Sequence, residues 1–284
     1  MLKNKRGYGR IMPMEWFLTY SGLFFIGGVA GWILELFFRR FVSQKKWVNP
    51  GFLTGPLLPL YGFGVAGFYL FSNAIPWSNI SGNSALNEFV EILCIGALMT
   101  VIELIAGLIF IKGMKIKLWD YSSRWGNFEG IICPLFSLIW TLIGAAYVAW
   151  INPLFVNIVN GLLSNTLATG MLEGFFYGIL SVDLGWSFGL VTKIRKAVAD
   201  KRLVVDWDKI KVSFQDHYKR LRRTPEWVLP FKTKAEEFSV MMSEYVQGLR
   251  IESAQKAMTM AKKKELRDEK RKARFDKHHH KEDE

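Results

Sequence analysis

The chain has 284 residues, half of them hydrophobic, yet it carries a formal net charge of +12 from 37 Lys and Arg against 25 Asp and Glu. That combination excludes an evenly mixed soluble globule, since both facts fit one molecule only if the apolar and charged residues are segregated. They are: residues 192–284 hold 25 basic and 16 acidic residues, leaving 12 and nine for the first 191 positions.

Five apolar stretches are long enough to cross a hydrocarbon layer of about 30 Å, at about 16–38, 51–72, 90–111, 130–150 and 166–190. The fold class expected is therefore an all-α polytopic membrane protein. Residues 1–191 form its transmembrane domain, and residues 192–284 form a basic, helical tail. The first stretch is too long, and too poor in a small-residue cleavage signal, for a secretory signal peptide.

Charges near the span ends orient the chain, because Lys and Arg of short loops stay on the cytoplasmic side. Spans one, three and five are each followed by basic residues: Arg39, Arg40, Lys45 and Lys46; Lys112, Lys115, Lys117 and Arg124; Lys193, Arg195, Lys196, Lys201 and Arg202. The loops after spans two and four have none. These thirteen charges outweigh Lys3, Lys5, Arg6 and Arg10, so the tail is expected in the cytoplasm and the N-terminus outside.

Span one carries Gly28, Gly31, Trp32 and Glu35 on or near one helical face, a small-residue groove topped by an indole and a carboxyl. Glu35 also stands four residues before Arg39, the spacing of a helical ion pair. Span two opens on NPGFLTGPLLPLYG, Asn49 to Gly62, which holds three prolines and three glycines, residues that weaken a helix. Either Pro50 caps a helix that Pro56 and Pro59 kink, or the chain enters as a broken segment whose backbone needs protein or water partners.

The opening of span four repeats that pattern. NPGFLTGPLLPL (49–60) aligns with NFEGIICPLFSL (127–138), and both read N-x6-P-L-x-x-L. Spans one and two (about 16–72) thus form a first copy of a unit, and spans three and four (about 90–150) a second in the same orientation. Repeats of this kind place transporter sites at their interface, beside interrupted helices.

Within span three, Glu103 lies about 12 Å from the expected cytoplasmic end at 1.5 Å per residue. A carboxyl at that depth costs about 2.5–3.5 kcal/mol to insert, so a partner, a neighbouring helix or a cavity is expected beside it. Thr100 and Gly107 share its face. The third loop, KLWDYSSRWGN (117–127), sets tryptophans and a tyrosine at interfacial depth, with Asp120 and Asn127 beside the second N-x6-P segment. Span five carries Glu173 and Asp183 close to one face, plus two small-residue pairs, Gly174 with Gly178 and Gly185 with Gly189, which favour tight helix packing. Cys94 and Cys133 both fall in apolar segments and suggest neither a metal site nor a disulfide framework.

In the tail, residues 206–223 place Trp207, Ile210, Phe214, Tyr218 and Leu221 at helical spacing among lysines and arginines, as expected of a helix lying on anionic lipid. TPEWVLP (224–230) breaks it. Residues 233–275 read as a second helix with Phe238, Met241, Met242, Tyr245 and Leu249 on one face. No nucleic-acid-binding motif is present, and the histidines at 278–280 read as a solvated tail.

Taken together, GWxxE (Gly31, Trp32, Glu35), NPGFLTGPLLPLYGFG (49–64), ExxxG (Glu103, Gly107), LWDYSSRWGNFEGIIC (118–133) and SLIW (137–140) resemble the bacterial ABC-transporter type IV permease family over about residues 17–150. The chain departs from the family pattern at Pro50, where an arginine is usual. The resemblance implies a protein of the bacterial cytoplasmic membrane that transports a small solute with an ATPase subunit acting in trans. The chain has no GxxxxGK[ST] loop and is not itself that ATPase. Trp32, Glu35, Asn49, Glu103, Asp120 and Asn127 are the candidate substrate contacts; no catalytic residue, cofactor or metal is expected. Small-residue faces on spans one and five fit a homo-oligomer. Two alternatives remain: a membrane-embedded enzyme acting on lipid, with Glu35 and Asp120 as acid and base, and a membrane-anchored scaffold or regulator acting through its basic tail.

Overall fold

The computed structural model of the chain describes residues 13–43, 45–198, 204–220 and 235–279. The N-terminal basic residues and the 224–230 break lie outside them. Eight α-helices are described: α1 Pro13–Phe38, α2 Pro59–Ala74, α3 Ser84–Gly107, α4 Pro134–Ala146, α5 Asn152–Ser164, α6 Thr166–Val198, α7 Trp207–Arg220 and α8 Ala235–His279. Almost no strand accompanies them, so the chain is an all-α polytopic membrane protein.

Four continuous helical stretches among the described residues are long and apolar enough to cross a membrane: Pro13–Ser43, Ser84–Gly113, Pro134–Ser164 and Thr166–Lys196. Three of them contain a widened turn, at Arg39–Ser43, Leu108–Gly113 and Tyr147–Ile151. The third stretch runs well beyond the expected end at residue 150, because Pro153 falls in the first turn of α5 and does not break the helix.

The second expected span takes a different form. Residues 47–58 are not helical, and α2 starts at Pro59, the first helical residue, where a missing N–H costs nothing. Neither Pro56 nor Pro59 kinks a helix: one precedes it and the other opens it. In the second copy α4 opens at Pro134, the match of Pro56. The aligned prolines therefore do different jobs, with the first copy keeping one more turn of chain out of its helix.

Packing within the first copy depends on glycine. A Cβ at Gly27 would stand 2.7 Å from that of Val65, one at Gly28 would meet Leu57, and one at Gly31 would overlap the Tyr61 ring. Span one's small face is thus covered by α2 of the same chain. In the second copy α3 meets α4 at Gly96, where a Cβ would collide with the Thr141 side chain and stand 3.0 Å from its Cα, and at Gly144 against Ile95. Phe68, Ile95, Met99, Trp140 and Tyr147 form a buried core shared by α2, α3 and the α4–α5 stretch. The small-residue pairs of span five differ: among the described residues nothing lies within 4 Å of a Cβ at Gly174, Gly178, Gly185 or Gly189, so no described helix packs against them.

Contacts divide the chain into two units. The first comprises residues 1–193 and 200–232, the second residues 194–199 and 233–284. The tail helix α7 therefore belongs to the membrane unit. The parallel pair β1 (Ile116–Lys117) and β2 (Val205–Asp206) ties the third loop to the chain entering α7, and Lys46 of the first loop pairs with Asp216 of α7. The first loop, the third loop and α7 thus share one end of the bundle. In the second unit, Met241, Met242 and Tyr245 of the expected α8 stripe are buried.

Gly96→Val forces apart helices that meet at backbone distance, an overpacking cost of about 1–3 kcal/mol. A clearly lowered Tm of the full chain in mild detergent is expected, whereas Gly161→Val, at an open position of α5, leaves the Tm unchanged.

Candidate functional site

A non-helical segment inside an apolar bundle leaves backbone N–H and C=O groups that need partners. Side chains of two helices, together with Asn49 of the segment itself, supply them within residues 49–55. Asn49, 1% exposed, accepts from Trp32 Nε1 of α1 at 2.6 Å and donates through Nδ2 to the carbonyls of Thr54 (2.8 Å) and Leu53 (3.4 Å). Asp183 of α6 accepts from the Thr54 and Gly55 N–H groups, both at 2.9 Å, from the Thr54 hydroxyl, and from Ser187 Oγ at 3.3 Å. From the other side, Lys211 of α7 donates to the carbonyls of Asn49 (2.7 Å) and Gly51 (2.8 Å). Gly51 takes φ +76°, a conformation glycine adopts without strain. Phe52 is clamped between Phe110, Phe188 and Trp207.

A second network joins the two copies. Glu35 accepts from Arg39 Nε and the Tyr61 hydroxyl, each at 3.2 Å. The Tyr61 ring meets Trp140 of α4 edge-on, with centroids 5.9 Å apart. Trp140 Nε1 donates to Glu103 Oε2 at 3.1 Å, and the Tyr121 hydroxyl donates to Oε1 at 2.9 Å. Glu103 is only 3% exposed, so the partner its depth demands is met by two neutral donors. Tyr121 is itself fixed by stacking on Phe136 at 4.2 Å. A line of polar and aromatic groups, buried at Trp140 and Glu103 and half-buried at its ends, therefore runs Glu35–Tyr61–Trp140–Glu103–Tyr121 across the interface between the copies.

The remaining candidates lie in the third loop. Asp120 accepts from Lys117 Nζ at 2.6 Å and Ser122 N at 2.9 Å. Burial opposes its charge, but those hydrogen bonds outweigh it and hold the carboxyl below the usual aspartate range. Asn127 is half-buried, donates to the carbonyls of Arg124 and Ser122 and accepts from Gly130 N. Both matched asparagines brace their own loop, but only Asn49 also binds a neighbouring helix. A cleft of about 770 Å³ opens beside Asp120, between Lys117–Trp119 and the Asp206, Lys209 and Asp216 side of α7. Glu35 and Asp120 each have their own partners and share no hydrogen bond among those described.

The structure thus gathers Trp32 with Asn49, and Glu35 with Glu103 through two aromatic rings, and sets Asp120 and Asn127 in the loop that delivers Tyr121. Sequence reasoning singled out neither Tyr61, Trp140 and Tyr121 nor Lys211. Lys211 did leave a trace: it follows Ile210 and lies four residues from Trp207, on the apolar face of an otherwise basic helix.

The geometry defines a helical membrane protein built on a duplicated helix pair with a broken entry segment. Residues 22–188, more than half of the chain, match the family described as "Putative ABC-transporter type IV", and the chain belongs to that family. No curated protein and no solved structure matches.

Asp183→Asn replaces a carboxylate that two N–H groups and two hydroxyls share with an amide whose NH2 faces donors. Hydrogen bonds to a charged acceptor contribute roughly 1.5–3 kcal/mol each, so thermal unfolding in detergent is expected several degrees below wild type. Ser187→Ala, which removes one long bond, shifts it far less.

Proposed function

We propose that this chain is the membrane component of a transporter, moving a small solute along the interface between its two copies with an ATPase subunit in trans. The observation that carries the reading is the partly buried line from Glu35 to Glu103, which links one carboxyl from each copy through Tyr61 and Trp140. Intramembrane carboxyls are costly and concentrate where solutes or ions pass. The broken segment 49–58, carrying Trp32-bound Asn49, gives that interface polar backbone at one end, as transporter sites use. Asp120 and Asn127 frame the approach from the third loop.

In this reading the protein sits in the bacterial cytoplasmic membrane with the first loop, the third loop and the tail in the cytoplasm. Anionic lipid meets the basic side of the tail. The open glycine pairs of α6 leave a face for a second copy.

The test is purification from the native membrane under mild conditions with mass spectrometry of what accompanies the protein. Wild type is expected to bring an ATPase subunit or a polar solute, and Glu103→Gln to lose the solute while remaining folded, with stability reduced by about 1–3 kcal/mol because the amide accepts from only one of its two donors. If both forms carry the same lipids and nothing else, the transport reading fails.

A further inference from the structure

Lys211 is 2% exposed and fully enclosed by protein, an unusual place for an ammonium group. The charged groups facing it are Asp208 on its own helix, Arg39 at the end of α1 and Asp183 on α6. Neither carboxylate is spent on the amine. Asp208 pairs with Arg39, and Asp183 binds the Thr54 and Gly55 N–H groups. Among the described residues, the partners of Nζ are two carbonyl oxygens, of Asn49 and Gly51, with the Trp207 ring 5.7 Å away. Two acceptors match the two N–H bonds of a neutral amine, whereas an ammonium brings a third donor and a charge into the same enclosure.

We propose that Lys211 is a proton-linked latch: as a neutral amine it seats α7 on the broken segment at Asn49–Gly51, and it takes up a proton when α7 lifts away. The step is a simple proton binding, from water to the exposed amine on undocking and back to water on docking.

The direction of the pH effect follows. Burial, opposed by Asp208 and reinforced by Arg39, pushes the docked amine down to about 7 from its ordinary 10.5. Between those values the undocked state binds more protons, so docking strengthens as pH rises from about 7 towards 10.5 and is weakest, and flat, below 7. Acidification releases the segment, and alkalinisation closes it. The latch acts on the asparagine that Trp32 also holds, and so on one end of the interface between the copies. It does not depend on a solute passing there.

Hydrogen exchange of the full chain in lipid nanodiscs, corrected for the pH dependence of chemical exchange, reads the segment directly and separates this inference from the transport reading. Protection of residues 49–55 and of α7 in wild type is expected to rise roughly 10- to 100-fold from pH 6.5 to pH 9. Lys211→Gln, which keeps two N–H donors without a titrating amine, is expected to lose that rise, with α3 and α4 protected as in wild type. Should that variant lose the bundle, Lys211→Arg takes its place: its fixed charge leaves the segment weakly protected at both pH values. A flat wild-type profile overturns the latch. So does a wild-type-like rise in either variant, which would assign the titration to groups other than Lys211.

Discussion

The constraint on which the membrane unit depends is the satisfaction of backbone polar groups along a stretch that is not a helix. Residues 47–58 leave their peptide groups without helical partners in a bundle that is otherwise apolar, and each orphan buried there costs free energy. The unit answers by sign: a carboxylate, Asp183, takes N–H groups, while an amide and an amine, Asn49 and Lys211, take carbonyls. Helix α1, through Trp32 on Asn49, and the consecutive helices α6 and α7 are thereby fixed around one short segment. A change in any of them is felt at the others.

This arrangement explains why α7 is part of the membrane unit. Its apolar side, Trp207 and Ile210, is fully buried in protein, and its links to the first and third loops are polar and specific. An amphipathic helix with a basic face is the usual mark of a lipid-surface helix. In this chain Trp207 of that face stacks on Phe52, and Lys211 beside it reaches the carbonyls of Asn49 and Gly51.

The duplication gives two halves that diverged in use. Each copy contributes one carboxyl, yet Glu35, near the end of α1, has a cation and a phenol for partners, whereas the deeper Glu103 has an indole and a phenol. The first copy lengthens its broken entry to Pro59, and the second starts its helix at Pro134. Aromatic rings at the centre let the copies meet across an apolar interface while still delivering N–H and O–H donors to the carboxyls, which is what tyrosine and tryptophan do best when buried.

The sequence alone made the helical membrane class legible, and the extents of spans one, three and five to within a turn or two at most ends, because hydrophobic length and local proline and glycine chemistry act within one segment. It also marked Asn49, Glu35 and Glu103 as residues that need a reason to be where they are, since a polar group in an apolar run is conspicuous without any knowledge of its neighbours. Only the tertiary structure decided what those reasons are. Asp183 reaches the segment from about 130 residues away and Lys211 from about 160, and no local rule pairs them. The same limit hid the start of α2: an uncharged run with prolines suits a kinked helix or a broken entry equally well, and the choice depends on whether distant side chains can satisfy the backbone that a helix would have satisfied alone.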